Sequence, residues 1–233
     1  MKPICFITAR GGSRGVPRKN IKLLAGKPLI SYTIEKALNS KLFSHVIVST
    51  EDKEIASISK KYGAEIPFSR PKKLASNTAS GIDVIIHGIK QLQFLGYDFD
   101  VIANLDCTAP FTKIKDIDST LKLIKKRQCN AVYAVYKQHH NPYFNMVELD
   151  SHGFLKISKK LPSRPVRRQD APLIYQLTGF HIFDVDKLLK YQNFFMPKIL
   201  PYEISPETGL MIDTKLEFTI AELLIKNKLL PTA

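Results

Sequence analysis

Cysteine is scarce in this chain, and its few thiols do not form a pattern that holds a metal. The 233 residues include only Cys5, Cys107 and Cys129, an odd number with no metal-ligand spacing. Cys5 and Cys129 lie in or beside apolar runs, as core thiols do, which indicates a reducing compartment. The sequence has no CxxC pair and no recognisable serine, histidine and aspartate triad order. Its six histidines are not spaced as metal ligands. A disulfide framework and a zinc site are therefore not expected.

Long hydrophobic runs are also missing. No stretch approaches the length that spans a membrane, and the first apolar run ends at Arg10, too early for a secretory signal. We therefore expect a cytoplasmic protein without a membrane partner. The length and a hydrophobic content of 44% fit one globular domain, so residues 1–233 are assigned to a single domain.

Acidic residues are outnumbered, which bears on partners rather than on the fold. The chain has 35 lysines and arginines against 21 acids, a formal net charge of +14. This balance suits nucleic acid, a membrane surface or small anionic substrates. No stacking-aromatic or helix-turn-helix pattern accompanies it, so we expect no nucleic acid and keep a nucleic-acid-binding protein as the alternative from another class.

The stretch 4–20 combines an apolar run with a basic, glycine-rich loop. The run 4–7 is short and is typical of a buried strand. The loop after it fits neither the GxxxxGK[ST] nor the GxGxxG spacing, so a polyphosphate would be held by a different scheme. A solvated surface turn is the alternative. Four cations supply charge-assisted donors for phosphate oxygens: Arg10, Arg14, Arg18 and Lys19.

Short apolar runs alternate with helical periodicity along most of the chain. This rhythm predicts a three-layer α/β fold, a mostly parallel sheet with helices on both faces. It breaks at residue 139, and we interpret 139–178 as a small β-rich insertion with a hairpin at 145–149 and 153–157. The expected strands are 4–7, 46–48, 64–68, 101–105, 131–136, 179–183 and 199–204; the last helix is expected to bury Leu216, Ile220, Leu223 and Leu224.

Polar segments should meet at one edge of this sheet, because the loops after parallel strands converge there. They are the loop 10–20, the stretch 70–80 and the segment 106–110. Asp106 ends an apolar strand, where a carboxylate is costly unless it is paired or binds a metal. Asp213 follows an apolar stretch and is either a second ligand or a helix N-cap. Two carboxylates that face a triphosphate suit Mg²⁺.

The loop 9–21, with the sequence ARGGSRGVPRKNI, resembles the signature loop of the acylneuraminate cytidylyltransferases, the CMP-sialic acid synthetases. The resemblance runs from about residue 3 to 225. It implies a nucleotide-diphospho-sugar transferase-like fold and the transfer of CMP from CTP to a nonulosonic acid, a nine-carbon keto sugar acid. Pyrophosphate leaves, Mg²⁺ is the cofactor, and the product serves surface glycan biosynthesis. Further segments are similar in the same order: 24–30, 46–50, 70–80, 106–110, 167–170 and 212–214.

The resemblance also implies roles for single residues. The catalytic set is Lys19, Arg14 and Asp106, and the metal ligands are Asp106 and Asp213. The nucleotide would contact Ala9, Arg10, Gly12, Ser13, Arg14, Lys19, Asn20, Arg70, Asn77, Ser80 and Thr108. The sugar would contact Arg167, Arg168, Gln169, Tyr175 and Thr178. Members of the family are usually dimers, so the insertion 139–178 is expected to be a dimerisation element that reaches the active site of the partner.

Three departures from the family pattern bear on the substrate and the metal. Arg14 replaces a frequent lysine, so a bidentate group replaces a point charge. Met211 stands where a second aspartate is common, which favours Asp106 with Asp213 as the metal pair. The segment 177–179 differs where the family contacts the sugar's substituents. A legionaminic- or pseudaminic-type sugar is therefore as plausible as N-acetylneuraminate. A nucleotidyltransferase for another sugar acid such as Kdo, and a silent nucleotide-binding module, are alternatives.

Overall fold

The computed structural model describes residues 3–13 and 15–230. The strands in these ranges are β1 (Ile4–Thr8), β2 (Leu23–Leu24), β3 (Lys27–Pro28), β4 (Val46–Ser49), β5 (Val101–Leu105), β6 (Ala131–Lys137), β7 (Val147–Leu149), β8 (Leu155–Ile157), β9 (Tyr175–Asp184) and β10 (Ile199–Glu203). The helices are α1 (Leu29–Ser40), α2 (Lys53–Lys61), α3 (Gly81–Phe94), α4 (Ile114–Arg127), α5 (Val185–Tyr191) and α6 (Lys215–Lys226).

The central sheet has six strands in the order β10-β6-β9-β5-β1-β4. Its pairs β1–β4, β1–β5 and β6–β10 are parallel, whereas β9 runs antiparallel to both β5 and β6. The predicted mostly parallel sheet is confirmed, with β9 as its antiparallel member. The expected strand at 64–68 is wrong, because that segment makes only one bridge, between Ile47 and Glu65, beside the edge strand β4.

Helices cover both faces of the sheet, as expected for three layers. Alternate residues of a strand point to opposite faces. In β1, Cys5 and Ile7 pack in one core with residues of α1, α2 and α4, while Ile4 and Phe6 pack in a second core with residues of α3 and α5. Each strand residue thus contributes to one of two separate apolar layers.

Helix α6 packs by a different face from the one that its spacing suggested. Phe218 and Ala221 are buried, whereas Leu216, Ile220 and Leu223 are exposed. The expected stripe is therefore wrong, with only Leu224 partly buried beside the core of Phe218. Apolar residues occur on more than one side of this helix, so periodicity alone could not select the face that meets β2 and the loop 10–20.

The insertion forms its own small sheet from β7 and β8, which confirms the predicted hairpin. The last residues of the range 139–178 belong to β9 of the central sheet instead, because that strand already begins at Tyr175. The hairpin presents exposed apolar side chains, among them Leu149, Phe154 and Leu155. Across the described ranges, every helix is too short or too polar to span a membrane.

Candidate active site

A cavity of about 530 Å³ opens where the 10–20 loop, the stretch 70–81 and the segment 106–108 meet. It lies beyond the carboxyl ends of β1 and β5, the edge at which an open α/β sheet binds ligands. The structure therefore brings together the three polar segments that the sequence placed at this edge. The predicted site residues that line the cavity are Arg10, Ser13, Lys19, Asn20, Arg70, Asn77, Asp106, Thr108 and Asp213.

The glycine-rich loop is fixed by contacts to neighbouring segments. The amide of Asn20 donates to the carbonyl oxygen of Arg10 at 3.0 Å, so the side chain closes the loop on itself. The guanidinium of Arg10 donates to the carbonyl of Ser76 at 3.1 Å. The backbone N–H of Gly11 donates to Glu51 Oε1 at 2.8 Å. Glu51, which follows β4, and Ser76 in the 70–80 stretch therefore hold the loop in its conformation.

The guanidinium of Arg18 is already paired with acidic side chains. Its guanidinium forms a bidentate contact with Asp52, at 2.5 and 3.1 Å, and also reaches Glu54 at 2.6 Å. This guanidinium lowers the pKa of the Asp52 carboxyl, which in turn caps α2. The expectation that Arg18 supplies a phosphate donor is therefore corrected: its donors hold the loop against the start of α2.

Lys19 lies at the meeting point of the loop and the segment before α6. Its ammonium donates to Asp213 Oδ1 at 2.8 Å and to the carbonyl oxygen of Ile212 at 2.6 Å. Gly15 allows this approach, because a Cβ at that position would stand 2.0 Å from the carbonyl oxygen of Asp213. The close packing of two segments almost two hundred residues apart places a cation beside a carboxylate at the cavity wall.

Asp106 lies at the end of β5 with its carboxylate tied to the turn that follows. Its Oδ1 accepts from the backbone N–H of Thr108 at 2.9 Å and from the Thr108 hydroxyl at 2.8 Å. Its backbone N–H donates to Gly179 of β9 at 2.7 Å. Burial raises the pKa of this carboxyl, while the two Thr108 donors and the charge of Lys19 act in the opposite direction.

The donor set at this edge fits a Mg²⁺ ion that a polyphosphate ligand helps to hold. Asp106 and Asp213 line the same cavity, and no hydrogen bond to Asp106 Oδ2 is found within residues 3–13 and 15–230. The described part of the chain contains no group of three or more histidine, cysteine or acidic residues that could enclose a metal alone. Mg²⁺ characteristically takes one or two carboxylates together with substrate phosphates, so this sparse set suits it.

Asp213 is not the helix cap that the sequence left open. The N-cap of α6 is Thr214, which forms a capping box with Glu217. The carboxylate of Asp213 is instead exposed at the cavity and paired with Lys19. The N-cap alternative for Asp213 is therefore wrong, and its role as a metal ligand stays a prediction.

Arg70 and its neighbours form the opposite wall. Arg70 is buried, and its guanidinium donates to the carbonyl and, at 3.2 Å, to the hydroxyl of Ser49. Asn77 lines the cavity. Ser80 is the N-cap of α3 and does not itself line the cavity, although its neighbours Ala79 and Gly81 do.

Two other predicted nucleotide contacts do not line the cavity, and a third lies outside the described residues. Ala9 is buried, and its N–H donates to the carbonyl oxygen of Ser49. Gly12 is exposed and does not line the cavity, and a Cβ there would meet nothing within 4 Å. Arg14 lies outside the described residues, so the structure does not show its contacts.

The predicted sugar residues lie away from this chain's own cavity. Arg167, Arg168 and Gln169 are exposed in the insertion, where Arg167 pairs with Asp170 at 2.9 Å. The hydroxyl of Tyr175 donates to Glu203 at 3.3 Å. Thr178 is buried and donates to the carbonyl of Gly209 at 2.6 Å, which fixes the start of the segment that carries Asp213.

Sequence reasoning missed two polar contacts of the site. The thiol of Cys107 lies 3.1 Å from Asn20 Oδ1, and burial raises the pKa of that thiol. Glu51 accepts the N–H of Gly11. Nothing in the local sequence around Glu51 points to a contact with a loop forty residues earlier.

Comparisons with known proteins agree with this geometry. A family model described as Cytidylyltransferase matches residues 4–202. The chain is 33% identical over 227 residues to a CMP-N,N'-diacetyllegionaminic acid synthase of Campylobacter jejuni, with 97% of this chain and 95% of that protein covered. It is 31% identical over 229 residues to a pseudaminic acid cytidylyltransferase of the same species, with 97% of both covered. The chain also resembles a solved CMP:2-keto-3-deoxy-manno-octonic acid synthetase complexed with CTP, with a TM-score of 0.74 and 18% identity. The superposition covers 98% of this chain and 100% of that one, and shows a similarity of fold.

Proposed function

Because this chain belongs to the cytidylyltransferase family, we propose that it transfers CMP from CTP to a nonulosonic acid and releases pyrophosphate. The observation that carries the proposal is the pairing of Lys19 and Asp213 at the edge of a cavity that Asp106 and the glycine-rich loop also line. Cation and carboxylates together form the polar surface that a nucleoside triphosphate with its metal requires.

A diacetylated legionaminic-type acid or a pseudaminic-type acid is the proposed acceptor. Relatives that carry these names align over nearly the whole chain, hairpin included. A keto sugar acid brings its own carboxylate to the cleft, and the basic surplus of the protein suits two anionic ligands in one site. Kdo remains the alternative acceptor, with support at the level of the fold.

Catalysis in this site would come from positioning and electrostatics. The anomeric hydroxyl of the sugar attacks the α-phosphorus in line, and pyrophosphate leaves. Lys19 would neutralise charge that grows on the departing pyrophosphate, and Arg10 and Ser13 line the same cavity. Asn20 keeps the loop in the required shape through its bond to Arg10.

Mg²⁺ is the proposed cofactor, and Asp106 and Asp213 are the residues that would hold it. When bound, such an ion polarises the phosphate and lowers the pKa of an attacking hydroxyl. Thr108 holds Asp106 Oδ1 and so fixes the direction of the carboxylate. With or without a bound metal, this turn sets the orientation of the Asp106 carboxylate at the cavity.

A homodimer is proposed as the working form. The hairpin exposes Val147, Leu149, Phe154 and Leu155 to solvent, and a contiguous apolar surface of this kind is characteristic of protein contacts. Arg167, Arg168 and Gln169 are free of their own cavity, so the dimer would bring them to the sugar in the partner's site. The three free thiols suit a reducing compartment, and we place the reaction in the cytoplasm.

The test is a titration of thermal stability with CTP, UTP and GTP, each with and without Mg²⁺, followed by a pyrophosphate-release assay. We expect CTP with Mg²⁺ to raise the melting temperature most, and pyrophosphate to appear only when a nonulosonic acid is added. Equal stabilisation by all three nucleotides would overturn the cytidine assignment. Binding of CTP without turnover would leave a silent nucleotide-binding module.

A further inference from the structure

Lys36 is a buried cation with no acidic partner among the described residues. It lies on α1 with 4% of its surface exposed, and no ion pair to it is found in residues 3–13 and 15–230. Its ammonium donates to the carbonyl oxygen of Pro110 at 2.7 Å. Burial lowers the pKa of this lysine to about 8. The side chain is thus directed into the protein toward one backbone carbonyl.

That carbonyl belongs to the turn that presents Asp106 and Thr108 to the cavity. The turn leaves β5 at Asp106, carries Thr108 and reaches Pro110 before α4. Lys36 and Asp106 also line a separate, very small internal cavity of about 10 Å³. Helix α1 therefore contacts the Asp106 turn, and the bond from Lys36 to Pro110 is shorter than the bond from Thr33 to the Asp106 carbonyl.

The energetics of this arrangement argue against a role in stability. An ammonium taken out of water without a counter-charge is costly, and one carbonyl bond offsets only part of that cost. A methionine has a similar length and would avoid the desolvation of the charge. A fold selected for stability alone would not favour lysine at this position, whereas a site that needs a fixed turn would.

We propose that Lys36 is a positioning residue, which holds the Pro110 carbonyl and thereby fixes the turn that presents Asp106 and Thr108 to the reacting phosphate. This inference rests on the proposed function of the same site. Its consequence is a division of roles: the 10–20 loop grips the nucleotide, and Lys36 acts through the turn on the transfer step. A displacement of about 1 Å at a reacting centre can reduce a rate by about two orders of magnitude.

The experiment compares Lys36→Met, Lys36→Arg and the surface control Lys60→Met with the parent, by melting temperature, kcat and the KM for CTP. We expect Lys36→Met to melt close to the parent temperature, because the avoided desolvation of the charge offsets the loss of the donor to the Pro110 carbonyl. Its kcat should fall about tenfold or more, with the KM for CTP within about threefold. Lys36→Arg, which keeps a cationic donor, should recover part of the lost kcat. Lys60 lies on the exposed face of α2, so its variant should match the parent.

The outcomes separate this inference from the proposed function. A parent protein that does not turn over CTP with any nonulosonic acid refutes the function. A parent that is active beside an equally active Lys36→Met variant refutes the positioning role alone. A Lys36→Met protein that unfolds, or that loses stability in proportion to its activity, also refutes it, because the lysine would then serve the fold.

Discussion

The ammonium of Lys19 lies 2.8 Å from Asp213 Oδ1 and joins the glycine-rich loop to the segment before α6. The same ammonium donates to the carbonyl of Ile212 at 2.6 Å. Lys19 is therefore a strut between two distant parts of the chain as well as a cation at the cavity. Because its donors already face this edge, it needs little rearrangement to meet a phosphate there.

Replacement of Lys19 by alanine tests its part in turnover. The loss of a charged donor that faces developing charge should raise the barrier by about 3 kcal/mol, a fall in kcat of about a hundredfold. The melting temperature should fall only modestly, because the ion pair to the largely exposed Asp213 contributes little and the main loss is the donor to the Ile212 carbonyl. Steady-state kinetics and calorimetry measure both. Lys27→Ala, which removes an exposed ion pair to Glu35, is the control, and comparable activity in the two variants would contradict the assignment.

Gly15 gives a second test, because its missing side chain permits the contact between the loop and Asp213. A methyl group at Gly15 would stand 2.0 Å from a backbone oxygen, so Gly15→Ala must push the segments apart. We expect a fall in kcat of at least about tenfold, since Lys19 and Asp213 would separate. Gly12→Ala is the matched variant, for its methyl group meets nothing, and should have a much smaller effect. The same loss in both variants would contradict this explanation.

Thr178 distinguishes a sugar contact from a structural one. Its hydroxyl donates to the carbonyl of Gly209, so Thr178→Val leaves a buried carbonyl without its donor. We expect a loss of about 1–3 kcal/mol in the free energy of unfolding, measured by urea denaturation. The KM for the sugar should change little. A large rise in that KM with unchanged stability would instead favour the sugar contact that the sequence predicted.

His181 predicts how stability depends on pH. It is packed against Tyr133 and Phe194, its Nε2 has no partner among the described residues, and burial lowers the pKa of His181 from 6.5 to about 4. Between pH 4 and 6.5, His181 is therefore protonated in the unfolded chain but neutral in the folded chain. The stability is therefore full above pH 6.5 and falls as the pH drops toward 4, by up to about 3 kcal/mol.

Replacement of His181 by phenylalanine should flatten this dependence. Urea denaturation at pH 7.0, 6.0 and 5.0 gives the slope for the parent and for the variant, and the parent should lose stability more steeply. Parallel slopes would show that another group is responsible.

The hairpin surface predicts the assembly state. Leu149→Asp with Leu155→Asp places charge on the exposed apolar face of β7 and β8, which should prevent association in sedimentation velocity measurements. Turnover should fall with the dimer if the partner supplies Arg167 to the site. A variant that is monomeric and fully active would contradict the shared site, and a parent that is monomeric would contradict the dimer.

The elements that could be predicted from sequence are those whose cause is local. The strand 4–7, the hairpin and the position of Asp106 follow from apolar runs and from the residues that end them. The same reasoning placed the three polar segments at one edge, because parallel strands share a direction.

The rest depended on contacts between distant residues. Arg18 meets Asp52 and Glu54 more than thirty residues later, and no local pattern reveals that its charge is already paired. The buried face of α6 depends on Phe218 and the loop that it meets, not on the helix alone. Nothing in the local sequence around Lys36 indicates that its ammonium meets the carbonyl of Pro110, 74 residues later.

In the proposed reaction, this cavity joins CMP to a nonulosonic acid. The most direct measurement is mass spectrometry of reactions that contain the protein, CTP, Mg²⁺ and one acid from a panel of legionaminic, pseudaminic, N-acetylneuraminic and Kdo-type sugars. We expect a CMP-sugar with a legionaminic- or pseudaminic-type acid, formed with an equal amount of pyrophosphate and strongly reduced in Lys19→Ala. Folded protein that binds CTP and forms no CMP-sugar with any of these acids would contradict it.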